Sequence, residues 1–254
     1  MRTLRAPWRM VLMLAALVWA SGVSRAAPSR PPGSGPSAPR PAPARDCAVS
    51  PGSYAMPSSI DASRKYLFYL HGKILEDQGR NAVSREHGAY CYDDIIKALA
   101  DRGFVVISEI RPANTTPEYA QKVAGYVRTL LEGGVAPESI TVAGFSKGGA
   151  LTLRTSAVLG QPKVNFVVMA GCGHTGPDSG YRQIVEQVAP RLRGRILSIY
   201  DAADREAGPC QDAFARAPGL EPRETKFSTG LGHGLFYRPR SEWLDPVVDW
   251  AQGR

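Results

Sequence analysis

Short apolar runs alternate with longer amphipathic stretches along the chain from about residue 60 onward. The apolar runs are rich in β-branched and aromatic residues and show little polar alternation, which is typical of strands buried on both faces of a parallel sheet. They cover 66–70, 104–110, 140–143, 164–170, 195–200 and 224–227. The pattern therefore predicts a mostly parallel sheet built from these strands.

The stretches between the apolar runs carry apolar residues at helical spacing. Acidic residues or proline stand near several of their starts and glycine near several of their ends, as is usual for helix termini. They cover 93–100, 117–131, 149–159, 181–189, 211–215 and 241–250. Single helices between parallel strands require right-handed crossovers. We therefore predict an α/β fold, a doubly wound, mostly parallel sheet with helices on both faces, in one domain over 46–254.

The first 45 residues have a different composition. Three arginines precede a short apolar run at 10–20, which is about half the ~20 residues that span a bilayer. Ser24 and Ala26 are small residues at the −3 and −1 positions of a cleavage site, so residues 1–26 are predicted to be a signal peptide. Residues 27–45 hold seven prolines and no aliphatic side chain larger than alanine, which predicts a Pro-rich disordered tether. We expect an exported protein, periplasmic or extracellular, with no stable membrane insertion after cleavage.

The net charge of +8 at first favours a nucleic-acid partner. Seven of the 31 basic residues lie in residues 1–45, where no acidic residue occurs. The remaining 24 basic residues face 23 acidic ones, so the folded part is nearly neutral. We therefore expect no nucleic-acid partner, while the oligomeric state stays open.

The chain contains four cysteines, and export to an oxidising compartment makes two disulfides the expected arrangement. Three pairings are available. The positions of the predicted strands favour Cys47 with Cys91 and Cys172 with Cys210. Because the cysteines and histidines lack the spacing of a metal site, we expect neither a metal nor a cofactor.

The segment Gly144-Phe145-Ser146-Lys147-Gly148 lies between a predicted strand and a predicted helix. A G-x-S-x-G sequence at such a turn presents its serine on a strained backbone, and its glycines allow the strand and helix to approach closely. The helix N-terminus behind it favours a developing anion. The pattern predicts Ser146 as a nucleophile supported by Gly144 and Gly148; a simple glycine-rich turn is the alternative.

A second motif, His71-Gly72-Lys73, ends the first predicted strand. A tight bend at this position directs a backbone N–H toward the space above Ser146. The amides of Lys73 and Lys147 are therefore predicted to form an oxyanion hole. We expect His71 and Gly72 to support this loop, with His71 bracing it rather than titrating in catalysis.

Two further loops follow the last two predicted strands. Asp201 and Asp204 come after the strand at 195–200, and His233, flanked by glycines, follows the last strand. The chain order Ser, Asp, His is the order expected when a catalytic triad is built from successive strand ends of a hydrolase sheet. His233 is the predicted base, and both aspartates are candidates for the residue that orients it.

Together, His71-Gly72, the G-x-S-x-G sequence, the aspartate and His233 resemble the α/β-hydrolase superfamily over nearly all of residues 60–254. The short chain is similar to the small, lid-poor serine esterases and to the dienelactone-hydrolase-like branch. The resemblance implies the α/β-hydrolase fold, Ser146 as nucleophile and His233 as base. In this family the acid lies a few residues beyond its strand, which favours Asp204, with Asp201 as the alternative.

The chain also departs from the family pattern. The usual first strands are not visible in 47–60, a long loop separates Gly72 from Cys91, and the stretch between 170 and 195 has room for about one helix. A small lid implies an open pocket. We therefore expect an exported serine hydrolase that cleaves carboxylic esters through an acyl-enzyme, acting on short-chain or exposed substrates, small-molecule or polymer. A serine peptidase or transacylase with the same triad, and a catalytically silent envelope-binding module, are the alternatives.

Basic residues follow several predicted strands, on the side where open α/β sheets bind their ligands. These residues are Lys73, Lys147, Arg111 and Arg205. They would favour an anionic substrate, with Arg111 and Arg205 as candidate substrate-binding residues. Acidic neighbours stand close by in the sequence at Glu76, Asp77, Glu109 and Glu206. Internal ion pairing is therefore the alternative.

Overall fold

The computed structural model describes residues 47–173 and 180–254. The predicted signal peptide (1–26) and the predicted tether (27–45) lie outside these residues. Among the helices of the two described ranges, none has the length and apolar character that a bilayer crossing requires.

Within the described residues, the central sheet has six strands, all parallel, in the order β4-β1-β5-β6-β7-β8. The strands are β1 (Lys65–Leu70), β4 (Phe104–Ile107), β5 (Ile140–Phe145), β6 (Asn165–Met169), β7 (Gly194–Asp201) and β8 (Leu220–Phe227). The predicted doubly wound parallel sheet is therefore confirmed.

Two strands differ in length from the prediction. β4 ends at Ile107 because the next amide, that of Ser108, donates its hydrogen bond to the carbonyl of Tyr54 and leaves the sheet ladder. β8 begins four residues early, at Leu220. It is an edge strand with exposed polar side chains around Pro222, so its first half shows no apolar pattern.

Helices lie at all six predicted positions. They are α2 (Tyr92–Ala100), α3 (Tyr119–Glu132), α4 (Lys147–Leu159), α5 (Gly180–Gln183), α6 (Gln211–Phe214) and α7 (Ser241–Gln252). After α5 the chain continues as a π-helical segment (Ile184–Val188) and a 3₁₀ turn (Ala189–Arg191).

The stretch between Gly72 and Cys91 is more ordered than the expected long loop. It contains a helix, α1 (Lys73–Gln78), and a small antiparallel pair, β2 (Val83–Ser84) with β3 (Gly88–Ala89). Each element is too short for hydrophobic periodicity to indicate it, and Leu75 is the buried apolar residue of α1.

Alternate side chains of the strands enter two separate hydrophobic cores. On β1, Leu67 and Tyr69 pack with residues of α2 and α7, whereas Phe68 and Leu70 pack with residues of α3 and α4. Burial on both faces explains why the strands are almost uninterrupted apolar runs. Because all six strands are parallel, their carboxyl ends meet at one edge of the sheet, where the sequence motifs also lie.

Both predicted disulfides are present. Cys47 bonds to Cys91, which fastens the first described residue to the start of α2. Cys172 bonds to Cys210 and joins the segment after β6 to the start of α6. The predicted pairing is confirmed. Residues 47–60, all described, form no strand, so β4 is an edge of the sheet.

Candidate active site

Ser146 occupies the sharp turn between β5 and α4. Its backbone has φ 54° and ψ −119°, a conformation that non-glycine residues rarely adopt and that costs roughly 1–3 kcal/mol. The turn is held by two hydrogen bonds, from the Ser146 amide to the carbonyl of Met169 (2.8 Å) and from the Ala150 amide to the carbonyl of Ser146 (3.1 Å). The turn leaves Ser146 partly exposed at the carboxyl edge of the sheet.

The two glycines of the motif allow this turn to pack tightly. A Cβ atom on Gly144 would overlap the carbonyl oxygen of Gly148, and one on Gly148 would overlap the carbonyl oxygen of Leu70. Neither position can therefore hold a side chain without moving α4 away from β1 and β5. The glycine pattern in the sequence reflects this close approach.

His233 lies in a 3₁₀ turn (Gly232–Tyr237) after β8, and its imidazole contacts Asp204. The Nδ1 atom is 2.8 Å from Oδ2 of Asp204, whose side chain is fully buried. Burial acts to raise the pKa of Asp204, but the hydrogen bond and charge of His233 outweigh it and the pKa is lowered. An ionised carboxylate only accepts hydrogen bonds, so Nδ1 carries the proton and Nε2 is left as the basic atom.

Asp201 is also buried, but it holds backbone instead of the imidazole. It accepts hydrogen bonds from the amide and hydroxyl of Thr229 (both 2.7 Å), from the Ala203 amide (2.9 Å) and from the Gly232 amide (3.3 Å). Burial acts to raise its pKa, and these hydrogen bonds together lower it below the ordinary value. Of the two candidate aspartates, the structure brings Asp204 to His233 and uses Asp201 to anchor the loop before it.

Ser146 and His233 line the same cavity, which has a volume of about 500 Å³. Much of its wall is apolar and comes from α4, from the segment after β6 and from the helical segment that begins at residue 180. These apolar residues include Ala150, Leu151, Ala170, Tyr181 and Ile184. The serine hydroxyl and the imidazole therefore face a common space in which a reacting group can bind.

The His71-Gly72 bend passes directly beside the serine. A Cβ atom on Gly72 would lie 3.6 Å from Cβ of Ser146 and 3.1 Å from the ring of Phe145. His71 is fully buried; its Nδ1 donates to the Gly72 carbonyl (2.8 Å) and its Nε2 accepts from the Arg111 amide (2.9 Å). Burial, followed by the charge of Arg111, lowers the pKa of His71 to about 3. The neutral imidazole thus connects two loops beside Ser146.

Three of the four predicted cations pair with acids of α1. Arg111 is buried and donates from Nε to Glu76 (2.8 Å), so it does not reach the cavity; this placement contradicts its predicted role in substrate binding. Lys147 contacts the other oxygen of Glu76 (2.5 Å), and Lys73 pairs with Asp77 (2.6 Å). A cation in the protein interior needs an internal partner, and here that need decides where Arg111 lies.

Arg205 lines a neighbouring cavity of about 550 Å³ on the other side of His233. This cavity shares His233 and Glu206 with the one that holds Ser146. Arg205 therefore lies next to the predicted triad, but it faces a different space from the nucleophile.

Sequence reasoning missed two charged residues of the Ser146 cavity. Arg154 lines it from α4, two turns beyond Ser146, and its guanidinium donates to the neutral amide of Gln183 (3.0 Å). The carboxylate of Glu206 lies 3.9 Å from Nε2 of His233 and also 3.9 Å from Nε2 of His87. The helical spacing from Ser146 could have indicated Arg154, whereas the position of Glu206 depends on how the loop after β7 folds.

No family model and no curated protein matches this chain. Solved structures do match. An acetyl xylan esterase from Paenibacillus sp. R4 superposes with a TM-score of 0.52 at 14% identity, covering 78% of this chain and 76% of that one. A hyperthermophilic esterase from Pyrobaculum calidifontis matches with a TM-score of 0.53 at 20% identity, over 76% and 77% of the two chains. A protein assigned as a dienelactone hydrolase from Klebsiella pneumoniae subsp. pneumoniae gives 0.53 at 15% identity, over 78% and 90%.

These similarities, together with the parallel sheet and the serine at the turn after β5, define the class of protein. The chain has the α/β-hydrolase fold, the fold that its sequence motifs resemble.

Proposed function

We propose that the protein is an exported serine hydrolase that cleaves carboxylic esters through an acyl-enzyme intermediate. The observation that carries the proposal is the hydrogen bond between Asp204 and His233 at the wall of the cavity that Ser146 lines. A nucleophile, a base and a carboxylate that orients the base are the groups that this chemistry needs.

In the proposed mechanism, the Ser146 hydroxyl attacks the ester carbonyl while Nε2 of His233 takes its proton. The Lys73 and Lys147 amides donate hydrogen bonds to the resulting oxyanion, and Asp204 stabilises the imidazolium. His233 then gives its proton to the departing alcohol, which leaves the acyl group on Ser146. Water, deprotonated by the same histidine, attacks the acyl-enzyme and releases the acid.

The cavity and the comparisons support a particular range of substrates. A space of about 500 Å³ with largely apolar walls suits a short acyl group or the exposed part of a larger ester, whether small molecule or polymer. Structures with the same fold include named esterases, which favours ester hydrolysis over peptide hydrolysis. The two disulfides favour an oxidising compartment and hence export.

The test is covalent labelling combined with an ester panel, using the full chain expressed in a host that secretes it. We expect a fluorophosphonate probe to label Ser146 and 4-nitrophenyl esters from acetate to octanoate to be cleaved, with the shorter chains preferred. Ser146→Ala should abolish both signals, while Ser63→Ala, which changes an exposed serine far along the sequence, should abolish neither. Unlabelled, inactive wild-type protein would indicate a silent binding module. Amide cleavage or acyl transfer faster than ester hydrolysis would indicate a peptidase or a transacylase.

A further inference from the structure

A buried carboxylate joins the residue after the proposed nucleophile to helix α1. The side chain of Glu76 has no exposure to solvent. Its Oε1 accepts a hydrogen bond from Nε of Arg111 at 2.8 Å, and its Oε2 accepts one from Nζ of Lys147 at 2.5 Å. Lys147 is next to Ser146, so one end of this ion pair lies at the turn that presents the serine.

The same carboxylate is connected to the other loop beside the serine. Arg111 donates from its second guanidinium nitrogen to the His71 carbonyl, and its amide donates to Nε2 of His71. His71 in turn donates to the Gly72 carbonyl. A continuous series of contacts therefore runs from Lys147 through Glu76, Arg111 and His71 to Gly72, and both of its ends lie against Ser146.

Stability is a weak explanation for such an arrangement. Taking three charged groups out of water costs free energy, and apolar residues of similar volume often stabilise a protein as well or better. What charge-assisted hydrogen bonds add is direction, because each fixes its partners at short distance and defined angle. Here that direction is applied between the two backbone segments whose amides are proposed to bind the oxyanion.

Resting on the proposed function, we propose that Glu76 is a positioning residue for the oxyanion hole. It holds the turn at Lys147 and the bend at 71–73 at a fixed separation, so that the amides of Lys73 and Lys147 point to one site. Glu76 itself lies behind this site and touches no substrate. Oxyanion donors act only at hydrogen-bond distance from the developing charge, and sites of this kind tolerate displacements of only about 0.5 Å.

The main test is Lys147→Met, which breaks the connection on the nucleophile side and leaves the buried pair of Glu76 and Arg111 intact. Lys147 is about a quarter exposed, so its loss leaves no cation buried without a partner. We expect kcat to fall about 10-fold, with KM changed less than twofold, because oxyanion contacts strengthen in the transition state. A boronic acid inhibitor, which mimics the tetrahedral intermediate, should bind about 10-fold more weakly.

Two further variants and one control complete the experiment. Lys147→Arg restores a donor for Glu76 and should recover most of the lost kcat. Glu76→Gln keeps the shape of the side chain, removes its charge, and should lower kcat at least as much as Lys147→Met. Asp77→Asn breaks the exposed pair with Lys73 on the same helix without touching the series of contacts, and should leave kcat unchanged.

A lowered melting temperature with unchanged kcat and inhibitor affinity in Lys147→Met would show that the contacts are only structural and would overturn the proposal. A raised KM at constant kcat would also overturn it, since Lys147 would then bind substrate. Failure of the proposed function is distinct: the wild-type protein itself would then neither hydrolyse esters nor react with the fluorophosphonate.

Discussion

Nδ1 of His233 lies 2.8 Å from the carboxylate of Asp204, while Asp201, three residues earlier, binds the loop that leads to His233. Two acidic groups that are neighbours in the sequence thus hold the same histidine in different ways. One contacts the imidazole, and the other holds the backbone on which the imidazole stands. This division of roles predicts that the two aspartates fail differently when they are changed.

Asp204→Asn should lower kcat for ester hydrolysis by about 10³–10⁴-fold with little change in stability. The amide can donate to Nδ1 and so favour the wrong imidazole tautomer, and it cannot stabilise the imidazolium. Steady-state kinetics with a 4-nitrophenyl ester would measure the loss.

Asp201→Asn is the matched comparison. It weakens four hydrogen bonds to the loop at 229–232 and the adjacent turn, so we expect a lower melting temperature and a much smaller loss of kcat. If Asp201→Asn lost as much kcat as Asp204→Asn while remaining folded, the assignment of Asp204 as the orienting acid would be wrong.

Folding stability should depend on pH through His71. Its folded pKa is lowered from 6.5 to about 3, so the folded protein excludes a proton that the unfolded chain binds below pH 6.5. The stability from this group is complete above about pH 6.5 and is lost as the pH falls toward 3, with a slope near 1.4 kcal/mol per pH unit. Asp201 and Asp204 have folded pKa values below 3.8, and their contributions are lost only in more acidic solution.

Chemical denaturation between pH 7.5 and about pH 5 would measure this dependence. In His71→Gln, which keeps an acceptor for the Arg111 amide but has no imidazole, the slope in this window should be smaller by nearly the full amount expected for one proton. An equal slope in the two proteins would show that His71 is protonated in the folded state.

Substrate charge should be sensed by Arg154. This guanidinium lines the Ser146 cavity and donates to a neutral amide, whereas Lys73, Lys147 and Arg111 are all held by acids of α1. We expect Arg154→Gln to lower kcat/KM for a 4-nitrophenyl monoester of a dicarboxylic acid about fivefold. This is the size of effect expected from a partly exposed ion pair worth about 1 kcal/mol. The neutral ester of equal length should be little affected.

Arg128→Gln is the control, because it removes an arginine of α3 that is exposed and bonded to the carbonyl of Val158. The difference between the two esters should also shrink as salt is added, since salt screens a partly exposed charge. Equal losses on both esters in Arg154→Gln would mean that the residue shapes the cavity and does not read charge.

The outcome for individual residues shows what a sequence reveals about a site of this kind. Ser146 and its glycines were predictable because local backbone geometry demands them, and both disulfides followed from the placement of strands. The interior position of Arg111 was not predictable. It depends on Glu76, which is 35 residues away in the chain, and the bond from Glu76 to Lys147 spans 71 residues. Such contacts arise only once the sheet has brought separate loops together, and a charged residue after a strand looks the same whether it faces a substrate or an internal carboxylate.

The two disulfides should differ in their effect on catalysis. Removing either pair, by Cys47→Ala with Cys91→Ala or by Cys172→Ala with Cys210→Ala, is expected to lower the free energy of unfolding by roughly 2–5 kcal/mol. Only the second disulfide borders the site. Cys172 lines the Ser146 cavity and accepts a hydrogen bond from the Gly208 amide, while Cys210 ends the loop that carries Asp204.

We therefore expect loss of the Cys172–Cys210 bond to lower kcat about 10-fold at a temperature where both double variants are folded, because the Asp204 loop is then fastened at one end only. Loss of the Cys47–Cys91 bond should leave kcat within about twofold of the wild type under the same conditions. Parallel measurements of unfolding by denaturant and of ester hydrolysis would separate the two effects. Equal kcat values in the two folded variants would mean that the hydrogen bonds of Asp204 to the Glu206 and Ala207 amides hold the loop without the disulfide.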